Sequence, residues 1–288
     1  MTMKRNLLGL MFCMICLNAA FSQVAGQELK ERNQLLYDSA VTGIRIYPGQ
    51  WRPHFGTEHI AWIKPPWPGN EYIWMDFPEA IFSEEALLFL SHINPLFPSR
   101  NPALPAVSWE NSGTGIRYER GLPGGIRFGG ELSVKDETTV CMEIWIHNGT
   151  DRILKDIKMQ TCAYLHAISE FKEHTNGNKL VHVPGYGWKS IEEALECKVK
   201  DGRYKVGWRG GPNVSDLPVI AVISGNGDHL VAMTWKDHTY SFIGNPQHPC
   251  FHADPYMDDL EPGETGIIEG EMVFFEGTIE EFDKSLNR

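Results

Sequence analysis

The stretch VCMEIWIHNGTDRILKDIKMQTCAY, residues 140–164, decides the fold. Val140, Met142, Ile144 and Ile146 alternate with Cys141, Glu143, Trp145 and His147. That period of two puts the apolar side chains on one face of a strand. Asn148-Gly149-Thr150-Asp151 breaks the pattern, and apolar residues resume from Ile153 to Tyr164, so the stretch reads as a β-hairpin. Working outward, the same period predicts strands over residues 42–47, 116–119, 126–132, 138–147, 154–166, 179–183, 205–208, 217–224, 230–235 and 266–275. Residues 219–223 and 230–234, joined through Gly225-Asn226-Gly227-Asp228, form a second hairpin. The expectation is an all-β chain built as one large antiparallel β-sandwich with one or two short helices.

The ends bound the chemistry. Lys4 and Arg5, the apolar run Leu7 to Leu17 and the small residues Ala19, Ala20 and Ser22 follow the three-part pattern of a secretory signal peptide over residues 1–26. The remaining residues 27–288 suffice for a single domain, expected to be exported, periplasmic or secreted, and without a membrane span. Losing Lys4 and Arg5 takes the net charge from −11 to −13, which argues against nucleic acid as a partner. Cys141, Cys162, Cys197 and Cys250 stay with the mature chain, where two disulfides in any of three pairings are open; Cys141 and Cys162 are read as buried thiols, core-facing on neighbouring strands. Ser83, with Glu84 and Glu85 behind it, reads as the start of a helix reaching His92, which the series Pro95, Pro98, Pro102 and Pro105 ends. A second short helix is expected from Thr278, with Glu280 and Glu281 in its first turn.

Two stretches carry the candidate chemistry. Trp51, Phe55, Trp62, Trp67, Tyr72, Trp74, Phe77 and Phe82 fall among Pro48, Pro53, Pro65, Pro66, Pro68 and Pro78. Aromatic rings spaced by prolines cannot all be core of a regular element, and exposed flat rings stack on the apolar faces of sugars. The alternative is that these rings plug one end of the sandwich. Residues 244–255, GNPQHPCFHADP, hold three prolines beside His248, His252 and Asp254. Neither a helix nor a laddered strand is expected to tolerate that density, so the segment reads as a stiffened loop presenting polar groups.

The runs Phe77-Pro-Glu-Ala-Ile-Phe-Ser, Cys141-Met-Glu-Ile-Trp-Ile-His-Asn-Gly-Thr-Asp, Asn245-Pro-Gln-His-Pro-Cys-Phe-His-Ala-Asp-Pro and Pro262-Gly-Glu-Thr resemble exported β-sandwich proteins of polysaccharide-degrading bacteria. The strand, turn, strand unit is similar to those in the large galactose-mutarotase-like sandwiches. The resemblance extends to oligosaccharide dehydratases and lyases acting on uronate-rich glycans such as ulvan. It implies β-elimination on an acidic cell-wall oligosaccharide. That reaction needs a donor to the uronate carboxylate, a base for the C5 proton and an acid for the leaving oxygen. His166, Tyr186, His248 and His252 are the candidate acid and base groups. Arg117, Asn176, Trp188, Asn245, Asp254, Trp67 and Trp74 are the candidate substrate-binding groups, with Arg120 and Arg127 adding to Arg117 as a local positive patch. Hydrolysis by a carboxylate pair drawn from Asp254, Asp258, Asp259, Glu143 and Glu170, and a purely sugar-binding module, are the alternatives. No cofactor is expected, although His248, His252 and Asp254 are ligand types that suit a divalent metal.

Overall fold

A computed structural model describes residues 42–49, 58–91, 104, 107–172, 175–207, 211–247 and 249–286. The expected signal peptide and Trp51, Phe55, His174, Trp208 and His248 lie outside the described residues, as does the proline series at 95, 98, 102 and 105. The chain forms two compact units. One is Met1–Thr42 with Trp67–Asn70, and in it Trp67–Asn70 is a run of bends in which Trp67 is 8% exposed. The other, Gly43–Pro66 with Glu71–Arg288, contains two β-sheets.

Strands are numbered along the chain. The first sheet runs β1 (Arg45–Pro48), β2 (Ile60–Lys64), β3 (Ile73–Phe82), β9 (Ile157–Tyr164), β17 (Cys250–Met257), β16 (Thr239–Gly244), β12 (Tyr204–Val206) and β13 (Asn213–Ser215), with β4 (Leu87–Leu90) paired to β3. The second runs β11 (Gly187–Ser190), β10 (Lys179–Val183), β14 (Val219–Ile223), β15 (His229–Thr234), β18 (Thr265–Glu276), β8 (Thr139–Asn148), β7 (Ile126–Val134), β6 (Gly115–Gly121) and β5 (Glu110–Asn111). Pairing is antiparallel throughout the described strands except between β12 and β16. The fold is therefore the expected large antiparallel β-sandwich.

Alternation makes the core. Ala61, Ile63, Ile73, Met75, Ala163 and Phe251 on the first sheet are buried, and on the second Leu132, Met142, Ile144 and Ile268 are buried while their chain neighbours are not. Each such large side chain contributes about 1.5–3 kcal/mol on burial. Trp235, fully buried beyond β15, bridges the sheets: its ring stacks on Phe77 at 6.0 Å and its Nε1 donates to the Ala253 carbonyl at 2.8 Å.

Four expectations are corrected. The stretch 140–164 does hold two strands, but β8 pairs with β7 and β18 while β9 pairs with β3 and β17, so the chain changes sheets between them. Asn148 holds that corner, donating Nδ2 to the Arg152 and Leu260 carbonyls at 2.7 and 2.9 Å. Cys141 and Cys162 consequently sit on different sheets. The helix expected from Ser83 is a turn: Ser83 does accept the Ala86 amide at 3.2 Å, yet Leu87–Leu90 then pairs with the end of β3. Local capping chemistry lost to tertiary pairing there. Residues 250–257 are strand rather than loop, and Pro255 fits because the ladder to β9 lapses between His252 and Tyr256. The Val219 hairpin and the helix at Thr278 are present as expected: Ile279–Ser285 (α2) has Thr278 and Glu281 in a reciprocal capping box. A helix not expected, α1 (Ile191–Glu196), uses the same device through Ser190 and Glu193.

Candidate functional site

Strand pairing assembles one row of rings. Tyr47 of β1 lies opposite Trp62 of β2, Trp62 opposite Trp74 of β3, Trp74 opposite Tyr164 of β9, and Tyr164 opposite Cys250 of β17. Directly opposed residues share a face. Since Ala61, Ile63, Ile73, Met75 and Ala163 point into the core, this row stands on the opposite face, half-buried. The Trp74 and Tyr164 rings are 5.6 Å apart, and the Tyr164 and exposed His166 rings 5.7 Å. At the other end Tyr72 lies 6.2 Å from Trp62 and 6.3 Å from Tyr47. Gly49 is required beside the row, because a Cβ there would meet the Trp62 indole at 2.4 Å.

Charge flanks the row on both sides. Arg45 and Lys64 are cross-strand partners in the next position along β1 and β2. Lys64 is 2% exposed, and burial, then the Arg45 charge, lower its proton affinity. One position beyond Trp74 and Tyr164 comes a second row, Asp76, Cys162 and His252, with Asp254 further along β17. The Ser91 hydroxyl donates to Asp76. His252 Nδ1 faces the Asp254 carboxylate at 3.6 Å and Glu79 at 3.8 Å, and Asp254 accepts the Thr161 amide at 3.3 Å. Burial raises the Asp254 carboxyl, with His252 opposing it. Burial pushes the His252 imidazole down while Asp254 and the Cys250 thiol push it up, and the upward effect wins. The Cys162 thiol is held well above its ordinary range by its hydrogen bond to Cys250 and by burial. Tyr164 is raised by burial and by the two thiols.

Of the expected residues, Trp74 and His166 each lie against Tyr164, and His252 and Asp254 form a buried pair further along β17. Asn176 and Asn245 meet around Lys179, which is 1% exposed and donates to the Thr175 and Asn245 carbonyls. A Cβ at Gly244 would meet Asn176 Oδ1 at 2.4 Å, so that approach needs glycine. Elsewhere lie Arg117, Tyr186 and Trp188, on or beside the second sheet. Arg117 is exposed and paired with Glu110 at 3.1 Å. Arg127 pairs with Glu119 at 3.1 Å and Arg120 is buried, so the three arginines form no common patch. Tyr186 is exposed in a turn, and Trp188 holds α2 by donating to Asp283 at 2.6 Å. Sequence reasoning missed Tyr164, Cys162, Cys250, Asp76, Glu79, Arg45 and Lys64. The even spacing of Trp62 and Lys64 was a usable signal, but which strands adjoin was not.

No family model matches the chain and no curated protein aligns with it. Solved structures with similar architecture include a GalM/aldose epimerase homologue from C. elegans (TM-score 0.38, 10% identity, covering 83% of this chain and 100% of that one). Others are the heparan sulfate lyase HepC from Pedobacter heparinus (0.38, 6%, 83% and 36%) and a galactose 1-epimerase from Lactobacillus acidophilus NCFM (0.32, 11%, 82% and 100%). The chain thus spans about a third of the lyase. These likenesses describe architecture, and no activity is carried over from them. No helix among the described residues is long and apolar enough to cross a membrane.

Proposed function

We propose that the protein is an exported carbohydrate-active enzyme that binds an acidic oligosaccharide along Trp62, Trp74 and Tyr164 and cleaves or dehydrates it by β-elimination. The observation that carries this reading is the row itself: four rings on four adjacent strands, with two cations at one end and a histidine at the other. Half-buried rings offer apolar faces to sugar C–H groups. Arg45 and Lys64 supply local positive charge to a uronate carboxylate, which a chain of net charge −11 would otherwise repel. In this reading His166, whose ring is 5.7 Å from that of Tyr164, takes the C5 proton, and the raised phenol of Tyr164 keeps its proton at neutral pH to donate to the leaving oxygen. His252, buried behind Tyr164 among carboxylates, acts on that end of the row and does not itself meet the sugar in this reading.

The test incubates the full chain with uronate-containing oligosaccharides and follows both the conjugated-alkene absorbance and new reducing ends. Growth of the alkene band, absent with His166→Ala and with Tyr164→Phe, supports elimination. Reducing ends without that band mean hydrolysis. Binding with neither signal leaves a sugar-binding module and overturns the enzymatic reading.

A further inference from the structure

Cys162 Sγ, Cys250 Sγ and a His252 ring nitrogen lie within 4.8 Å of one another. Cys162 and His252 are directly opposed across β9 and β17, and Cys250 is two residues before His252 on the same face, so all three donors project from paired strands. We propose that they hold a single divalent ion of the zinc type. Nothing in the sugar reading requires it.

Three observations support the assignment. The donor set is two sulfurs and an imidazole, the ligands that borderline-soft zinc selects over magnesium or calcium. The spacing is right: around a tetrahedral ion with bonds of about 2.0–2.3 Å, ligand atoms stand roughly 3.5–3.8 Å apart, and His252 Nε2 is 3.8 Å from Cys250 Sγ. The far side of the ring is also arranged for it. His252 is 6% exposed, its Nδ1 has no hydrogen-bond partner, and it is turned toward Asp254 and Glu79. A metal-bound imidazole gives its other N–H to such a carboxylate, which fixes the ring and its tautomer.

Charge favours the same assignment. Two thiolates and a divalent cation are jointly neutral, so the ion brings no net charge to a place where Cys250 and His252 are buried. Three protein ligands leave a fourth position for water or a substrate oxygen, the pattern of catalytic rather than structural zinc. That position would adjoin Tyr164, the cross-strand partner of Cys250. The rival use of the two sulfurs is a disulfide, since Cys162 and Cys250 are diagonal neighbours and no disulfide joins them in this structure.

The experiment strips the full-length protein with a chelator under reducing conditions and titrates it with cobalt(II) alone. The expected result is saturation at a single ion per chain, with a thiolate-to-cobalt charge-transfer band that zinc(II) then abolishes. Cys162→Ser and His252→Asn should each lose the band, and Cys141→Ser, on the other sheet, should keep it. Absence of a charge-transfer band in the wild-type protein overturns the proposal. So does peptide mapping of freshly purified protein that recovers Cys162 and Cys250 joined to each other. If the Ser and Asn variants fail to fold, the wild-type titration and the mapping decide the matter.

Discussion

The two sheets turn very different faces away from the core. On the second sheet Glu131, Glu143 and Glu269 are paired across β7, β8 and β18. Arg117 and Arg127 are more than half exposed and meet their carboxylates in water. On the first sheet the corresponding face holds rings beside Lys64, Asp76, His252 and Asp254, none more than 6% exposed. Exposed ion pairs are worth about 0–1 kcal/mol each and need no special partner. Buried polar groups destabilise a fold unless each is satisfied, so a face that retains several of them is being kept for something other than stability. The contrast is why the first sheet's outward face is taken as the candidate site.

The largest expected effect is on acid stability, and it tests whether the buried titratable groups lie where the comparison puts them. His59, fully buried beside Asp76, donates its Nε2–H to the Pro78 carbonyl at 2.6 Å and stacks on Tyr118 at 4.6 Å. Burial, with help from Arg120, lowers its pKa to about 3 from 6.5. The unfolded chain therefore binds this proton from about pH 6.5 downward while the folded chain refuses it until about pH 3. Stability is full above that window and falls as pH drops through it, by at most about 5 kcal/mol. Urea unfolding midpoints across the window should fall steeply for the wild type and less steeply for His59→Gln. Parallel slopes would mean the acid limb belongs to other groups.

Next comes activity. His166→Ala should cost about 10²–10⁴-fold in turnover, the range for a lost general base, with the thermal midpoint little changed because His166 is exposed. Glu143→Gln on the other sheet should leave turnover alone. Equal losses from both would erase the distinction between the faces. Trp74→Ala comes third: losing one stacking face should raise KM about 3–10-fold, on the order of 0.5–1.5 kcal/mol, at nearly constant kcat. A fall in thermal midpoint with KM unchanged would instead make Trp74 packing for Tyr164.

How much of this was legible in the chain follows from range of interaction. Period two along residues 116–275 and the Gly-Asn-Gly-Asp turn at 225–228 are local signals; they gave nine of the strands and one hairpin, and missed Gly187–Ser190, Asn213–Ser215, Thr239–Gly244 and Cys250–Met257. The Ser83 turn was misread because the same serine-to-amide contact opens a helix or a hairpin, and only the open edge of β3 decides between them. Residues 250–257 were misread because Pro255 forbids a ladder bond only at its own position, where β9 makes none. Trp74 and His252 were legible as residue types in unusual company. Tyr164, Cys162 and Cys250 were not, since they become a site only through the register of β9 against β17, which alternation along either strand leaves open.

The smallest effect bears on the second sheet. Glu143 sits between Glu131 on β7 and Glu269 on β18, and burial, then those two charges, raises its carboxyl above the ordinary range. Ionised Glu143 is thus held at some cost. Like charges directly opposed across strands destabilise by about 0.2–1 kcal/mol, so Glu143→Gln should stabilise the fold by a few tenths of a kcal/mol at pH 7, and by less as salt screens the row. The gain should vanish on acidification, because Glu143 takes up its proton at higher pH when folded than when unfolded. Denaturant melts at low and high salt measure it. A glutamine that destabilises, or a gain insensitive to salt, would show that this carboxylate has a specific partner, and the second sheet would then have to be weighed as a site in its own right.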